Sequence, residues 1–363
     1  MSLIRATPFH ARTSAANRLN AWTNRNGWTL AAHYGDPAAE ALAARLTAIV
    51  ADISWRWRVM IEGVRTEEFL SRLLTRDPAR LEPGQAFKAL WLTDRGGVRG
   101  AGAIARLSPD AFRLVATESD LDWIARGAAL FDVRVREIGE EEGGLAIIGP
   151  YARNIAEAAG LDATLEALNF RTVSWRGLDV TLSRFGEHGG YELWCKADDA
   201  LLVWNRIAKA AEPFAFGLAG TDAMDVLDLE AGVPRPGRDY QAARKGFAAQ
   251  PTPAELGLLS LIDNDHLCFN GRAAFLLAAR RRTLIGVEFK DETPAPHAAL
   301  THGCRRVGET MNSLYSPALH RAIALATADV SVSARGTLLM LPQGAQARVV
   351  SLPFLPIPDS ITK

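Results

Sequence analysis

With 363 residues, 48% of them hydrophobic and 23% charged, the chain has the composition of an ordinary soluble globular protein, long enough for two or three domains with real cores. Its 41 Lys and Arg balance 41 Asp and Glu, so no net basic charge is available to displace counterions from phosphates, which argues against a nucleic-acid partner. The three cysteines (Cys195, Cys268, Cys304) form no CxxC pair, no apolar run approaches ~18 residues, and no His/Cys/carboxylate spacing suggests a metal. A cytoplasmic protein without a membrane partner, a signal peptide or a disulfide framework is expected.

In chain order, Ile53, Trp55, Trp57, Val59 and Ile61 alternate with Ser54, Arg56, Arg58 and Met60, which predicts one half-buried strand. A helix follows, with Thr66 placed to cap it, Glu67 and Glu68 in its first turn, and Phe69, Leu70, Leu73 and Leu74 on one face. Strands are expected at 87–93, 98–106 and 112–116, separated by the Gly96-Gly97 turn and by Ser108-Pro109-Asp110. Ser119 and Asp122 resemble a capping box for a second helix, and 131–137 alternates as another strand. Between 145 and 240 the pattern recurs: a strand into Gly149-Pro150, a helix, strands at 170–175, 178–184 and 191–195, then helices near 198–212 and 218–231. Arg280, Arg281 and Arg282 read as the solvated last turn of an apolar helix. From 284 onward, short β-rich stretches (284–289, 322–326, 337–341, 347–352) punctuated by Gly and Pro predict a small barrel or sandwich.

Several short motifs fall in one order. They are His33-Tyr34-Gly35, Asp52-Ile53-Ser54, Phe69-Leu70 through Thr75-Arg76-Asp77, and Pro83-Gly84-Gln85. Further on come Gly149-Pro150, Gly190-Tyr191-Glu192, Leu229-Glu230-Ala231-Gly232, Phe269-Asn270-Gly271-Arg272 and Ser316-Pro317. Each is weak alone, but together, across roughly residues 30 to 355, they resemble the glycine-cleavage T-protein superfamily in a divergent form related to folate-dependent demethylases. The resemblance implies an α+β fold of three lobes around a central folate channel, with a C-terminal β-barrel. Residues 1–50 with 140–245 would form the first lobe, 51–139 the second and 246–363 the third.

The implied cofactor is tetrahydrofolate. Its pterin carries an amide N–H beside an exocyclic amine, a donor pair that one carboxylate can accept. In the family that acceptor is the Glu of a G-[YF]-E motif, here Glu192; Tyr191, Phe87, Tyr34 and Trp55 are the further expected cofactor contacts. Two departures stand out. Family transferases carry an acid after a G-G-V-x turn, where this chain has Gly100 and Ala101, neither able to do acid–base work. The helix before Leu229 lacks the family's arginines and carries Asp225 and Asp228, which predicts repulsion of a ligand carboxylate. Replacement chemistry is assigned to His188 and Glu187, in the loop that leads into Glu192. Trp55, Trp57 and Trp91 read as core or as lining for an aromatic ligand, and Cys268 as a buried structural cysteine.

The expected activity is tetrahydrofolate-dependent one-carbon transfer, methyl or aminomethyl, including O- or N-demethylation of a small substrate that an aromatic pocket would suit. A folate-independent lyase and a non-catalytic folate-binding protein are the alternatives. The partner is a small molecule, and the oligomeric state is open.

Overall fold

A computed structural model describes residues 5–186, 188–243, 251–290 and 292–356. Three β systems carry the fold, with a small three-stranded sheet (Arg5–Ala6, Trp28–Ala31, Trp22–Arg25) beside them. A six-stranded sheet runs Phe170–Trp175, Leu178–Ser183, Tyr191–Lys196, Glu142–Ile148, Ala48–Asp52, Phe216–Ala219. Only its last pair is parallel, so the chain leaving Ala219 starts the helix Thr221–Glu230 at the same end of the sheet where Asp52 stands. Buried Glu40 fixes that corner by accepting from the backbone N–H groups of Tyr34, Gly35 and Gly220 at 2.6, 2.9 and 2.9 Å. A charged group is tolerated inside because its oxygens are used by donors that would otherwise be buried unpaired.

The second system is antiparallel, in the order Ala86–Leu92, Val98–Ser108, Ala111–Ala116, Trp57–Glu62, Arg134–Glu137. One face is covered by the helices Thr66–Leu73 and Leu121–Ala128, whose Phe69, Leu70, Leu73 and Ile124 pack on Val59, Ile61, Leu114 and Trp91. The third is a closed barrel, Arg282–Phe289, Arg321–Asp329, Arg305–Ser316, Ala299–His302, Leu338–Met340, Gln346–Val350, which leaves no strand edge unpaired. The α+β architecture with a C-terminal barrel is thus present. Among the described residues no helix is long and apolar enough to cross a membrane.

Four local expectations are corrected. The alternation from Ile53 to Ile61 is not one strand: Ala48–Asp52 and Trp57–Glu62 belong to different sheets, joined by a turn in which Ser54 N–H donates to Asp52 Oδ1 at 2.9 Å. The alternation of the sequence is fortuitous there, since Trp55 and Arg56, adjacent in the chain, line one cavity together with the buried Ile53. Thr66 lies inside its helix rather than capping it, and its hydroxyl donates to Gly63 O at 2.7 Å. The apolar helix ends at Leu277, so Arg282 opens a barrel strand instead of closing a helix. Cys268 is exposed. The barrel strands Ala299–His302 and Arg305–Ser316 are rich in Arg, Thr and Gly and show no hydrophobic alternation to announce them.

Trp91 and Gly100 sit opposite each other on neighbouring strands, and a Cβ at Gly100 would come within 2.2 Å of the Trp91 ring. The indole is fixed at that same edge, since Nε1 donates to Asp120 Oδ2 at 2.9 Å. Replacing Gly100 with Ala should therefore overpack a rigid neighbour and lower unfolding free energy by about 1–3 kcal/mol, read from the urea midpoint.

Candidate active site

Two adjoining cavities open between the sheets, of about 720 and 560 Å³, and Arg56, Thr117 and Arg235 line both. The first is walled by Ala101, Gly102 and Ala103 on one strand, and by Val115 and Ala116 on the next. Glu192 comes from the six-stranded sheet, and Leu258 and Leu261 from the segment before the barrel. Small residues are required here by packing: besides Gly100 under Trp91, a Cβ at Gly102 would sit 2.6 Å from Val115 O. Gly100 is thus spent on Trp91, and it is Ala101, Gly102 and Ala103 that leave a smooth apolar wall without an acid. Lys88, paired with Ala103, is the ionisable side chain that the strands Ala86–Leu92, Val98–Ser108 and Ala111–Ala116 present to this cavity.

Glu192 is 3% exposed and faces the first cavity. Its strand alternates, so Tyr191, Leu193 and Cys195 enter the core while Glu192 takes the other side. Arg56 Nη1 donates to Oε1 at 2.5 Å, and Oε2 has no hydrogen-bond partner. A buried acceptor left unsatisfied costs about 1–3 kcal/mol, so this oxygen favours any ligand that brings a donor. Such a carboxylate fits the donor edge of a pterin.

The second cavity is lined by Tyr34, Asp52, Trp55, Met224, Asp225 and Asp228. Asp52 accepts from Thr7 Oγ1 at 2.6 Å as well as from Ser54, yet burial raises its pKa above the usual carboxylate range against those bonds and the nearby Arg58. Burial, with Asp52 and Glu40 adding repulsion, likewise pushes the Tyr34 phenol up, so it stays protonated.

The helix Thr221–Glu230 carries acids at Asp222, Asp225 and Asp228, three residues apart and so on one face. Each is met by a basic side chain from elsewhere in the chain. His33 Nδ1 lies 2.9 Å from Asp222; Arg25 Nη2 and Arg238 Nη1 lie 2.5 and 3.0 Å from Asp225. Asp228 receives His188 Nε2 at 2.8 Å, Arg235 Nη2 at 2.6 Å and Arg238 Nη1 at 3.3 Å. Burial alone would raise the Asp228 carboxyl, but Arg235, His188 and Arg238 outweigh it and hold the group well below the usual carboxylate range. The expected repulsion of a ligand carboxylate is corrected accordingly: the acids are neutralised in place, and the arginines absent from the helix are supplied by Arg25, Arg235 and Arg238.

Of the residues singled out in the sequence, Glu192, Tyr34, Trp55 and Ala101 line the two cavities. Tyr191 and Phe87 do not. The Tyr191 hydroxyl donates to Ala163 O at 2.6 Å inside the first core, and Phe87 lies in the second core beneath the Arg76 guanidinium. In both strands the alternation turns the neighbour, Glu192 or Lys88, to the cavity instead. His188 does not stand in either large cavity as a base; it is buried against Asp228 beside Arg45 and Leu227. Glu187 lies outside the described residues. Trp57 and Trp91 are core. The residues that sequence reasoning passed over are Arg56, Lys88 and Arg235; the charge of Lys88 within an otherwise apolar strand is the one signal that pointed to a cavity. Among the described residues no three His, Cys, Asp or Glu side chains converge as a metal site.

Comparison with known proteins bears on the family and the fold. The family model "GCVT N-terminal domain" matches residues 10–265, and "Glycine cleavage T-protein C-terminal barrel domain" matches 282–355. Curated relatives include an aminomethyltransferase of Pseudothermotoga lettingae, 28% identical over 342 residues (90% of this chain, 92% of that one). Another, from Thermotoga maritima, is 29% identical over 343 residues with the same coverage, 90% and 92%. Among solved structures, the glycine cleavage system aminomethyltransferase T of Bartonella henselae superposes with a TM-score of 0.88 over 98% of this chain and 99% of that one, at 23% identity.

Asp228→Asn should lower stability by about 3 kcal/mol, because it strands Arg235 and His188 beside a neutral amide. The sign with pH follows from the depressed pKa. In the wild type this carboxylate contributes fully above the unfolded value of about 4, and the contribution is lost as pH falls toward its lower native value. Denaturation midpoints measured from pH 6 down to pH 2.5 should fall more steeply for the wild type than for Asp228→Asn.

Proposed function

Since the chain belongs to the glycine cleavage T-protein family, we propose that it is a transferase moving a one-carbon unit from a small substrate to tetrahydrofolate. The observation that carries this reading is the buried Glu192 carboxylate, which lines the first cavity with its Oε2 unpartnered. Glu192 would accept the amide N–H and exocyclic amine of the pterin, and the wall of Ala101, Gly102, Val115 and Leu258 would exclude water and receive the ring's apolar face. When bound, the reduced pterin supplies the nucleophilic nitrogen that takes the carbon.

This chain's part is chiefly placement. With Gly100 and Ala101 at the position of the family's acid, no carboxylate on that wall can exchange a proton with the substrate nitrogen. Rate would come from holding two reactants in contact in a dry cavity, an effect worth up to ~7–11 kcal/mol when geometry is right. A methyl ether or methylated amine, which an apolar wall and the Trp55 and Tyr34 rings would accommodate, suits the site better than an aminomethyl group on a carrier arm. Tyr34, whose phenol burial keeps protonated, can donate a hydrogen bond to such a substrate, as can Trp55 and Arg56, which line the second cavity with it.

Calorimetric titration with tetrahydrofolate tests the reading. Micromolar binding is expected for the wild type, with affinity falling at least thirty-fold in Glu192→Ala, the equivalent of about 2 kcal/mol for two charge-assisted hydrogen bonds. A wild type that binds no tetrahydrofolate, or a variant that binds as well, would sink it. Formaldehyde released without added folate from an aminomethyl or hydroxymethyl donor, whose carbon is already at that oxidation level, would instead indicate a lyase.

A further inference from the structure

Arg56 occupies the turn between two sheets and lines both of these cavities, as well as a third cleft walled by Trp28, Trp57 and Glu137. Its side chain reaches Glu192 with one nitrogen only: Nη1 bonds Oε1, while Oε2 stays unpartnered. A guanidinium and the 2-amino-pyrimidinone edge of a pterin carry the same recognition element, two N–H donors on nitrogens that share one carbon. Arg56 therefore presents to Glu192 the chemistry a pterin would present, and does so in half of the possible geometry. Two parallel donors from a planar edge would use both oxygens; the single bond from a side chain tethered at the turn uses one.

Resting on the reading of Glu192 as the pterin anchor, we propose that Arg56 is a resident competitor for that carboxylate and sets how tightly, and how selectively, the site takes a folate. With no ligand, the guanidinium holds a 3% exposed carboxylate in place and supplies the counter-charge without which it would be costly to bury. For a ligand to engage both oxygens, Arg56 must leave Oε1. The second cavity gives it somewhere to go, because Arg56 already lines that cavity as well as the first. Ligand binding at Glu192 is thereby coupled to a shift of positive charge into the second cavity, where the substrate would lie. A ligand that offers a single donor cannot displace the guanidinium profitably, whereas a donor pair can. Arg56 is in this sense a specificity-determining residue: it lowers affinity for all ligands and lowers it least for those with a two-donor edge.

A purely structural ion pair would not give the combination expected here. Arg56→Met should have a lower melting temperature than the wild type, because Glu192 loses its counter-ion, yet bind tetrahydrofolate at least ten-fold tighter by calorimetry. Saturating tetrahydrofolate should also raise its melting temperature by more than it raises that of the wild type. Arg56→Lys, which keeps the charge but not the planar fork, should fall between the two. Weaker or unchanged binding in a folded Arg56→Met protein would overturn the proposal and make Arg56 a ligand contact or a bystander. Should Arg56→Met fail to fold, Arg56→Lys decides instead: its affinity must rise above that of the wild type, and an affinity that does not rise overturns the proposal. Binding by Arg56→Met alone, with none by the wild type, would be the competitor in its strongest form. No binding by any of the three proteins removes the folate reading itself, and the competitor with it. Wild-type binding that Glu192→Ala abolishes but that neither Arg56 variant strengthens removes the competitor alone.

Discussion

One acidic helix, Thr221–Glu230, gathers the N-terminal segment and the loops around it through ion pairs. Asp222, Asp225 and Asp228 engage His33, Arg25, Arg235, Arg238 and His188, drawn from four separate stretches of chain. At its end Glu230, 1% exposed, takes Arg45 on Oε2 at 2.5 Å and Ser316 Oγ of the barrel on Oε1 at 2.5 Å, and its carbonyl receives Phe354 N–H at 3.0 Å. Isolated surface pairs of this kind contribute little, but buried and shared among several partners they specify one arrangement, since any other leaves a charge unpaired. The loops that carry His188 and Arg235 are positioned by Asp228, and through them the walls of both cavities.

The second constraint is the turn Ile53–Arg56. Two strands that look continuous in the sequence are pulled into different sheets by an Asp52–Ser54 hydrogen bond. The residues in between, Trp55 and Arg56, then have nowhere to pack but the space enclosed by the sheets. Loops are where function concentrates when rigid elements hold their ends, and this four-residue turn has a sheet on each side. It delivers a cation to Glu192, whose own place is set by strand alternation. Neither partner would be costly to expose; burying them together is what gives the cavity a polar point in an apolar wall.

How far the site is legible differs residue by residue. Glu192 can be found because a three-residue motif coincides with strand alternation, and alternation alone decides which side a side chain takes. The same rule, applied strictly, sends Tyr191 and Phe87 to the core and Lys88 to the cavity; the motif outweighs it for Tyr191 and Phe87, and Lys88 is passed over. His188 reads as a loop base because nothing local announces Asp228, forty residues on. The missing arginines are counted on one helix, whereas charge compensation is a matter of distance in space and is supplied here by Arg25, Arg235 and Arg238.

What the sequence determined by itself is whatever depends on near neighbours: the period of each strand and helix, the turns at Gly96-Gly97 and Gly149-Pro150, and the absence of an acid at Gly100 and Ala101. Tertiary structure decided the rest. It split the strand at Ile53, closed a barrel through two strands that carry no alternation, and paired Arg56 with Glu192 across 136 positions. The physical reason is range. Backbone propensity and hydrophobic period act over a few residues, while a buried charge is stabilised only by a counter-charge a few ångströms away, and which residue that is depends on how the lobes come together.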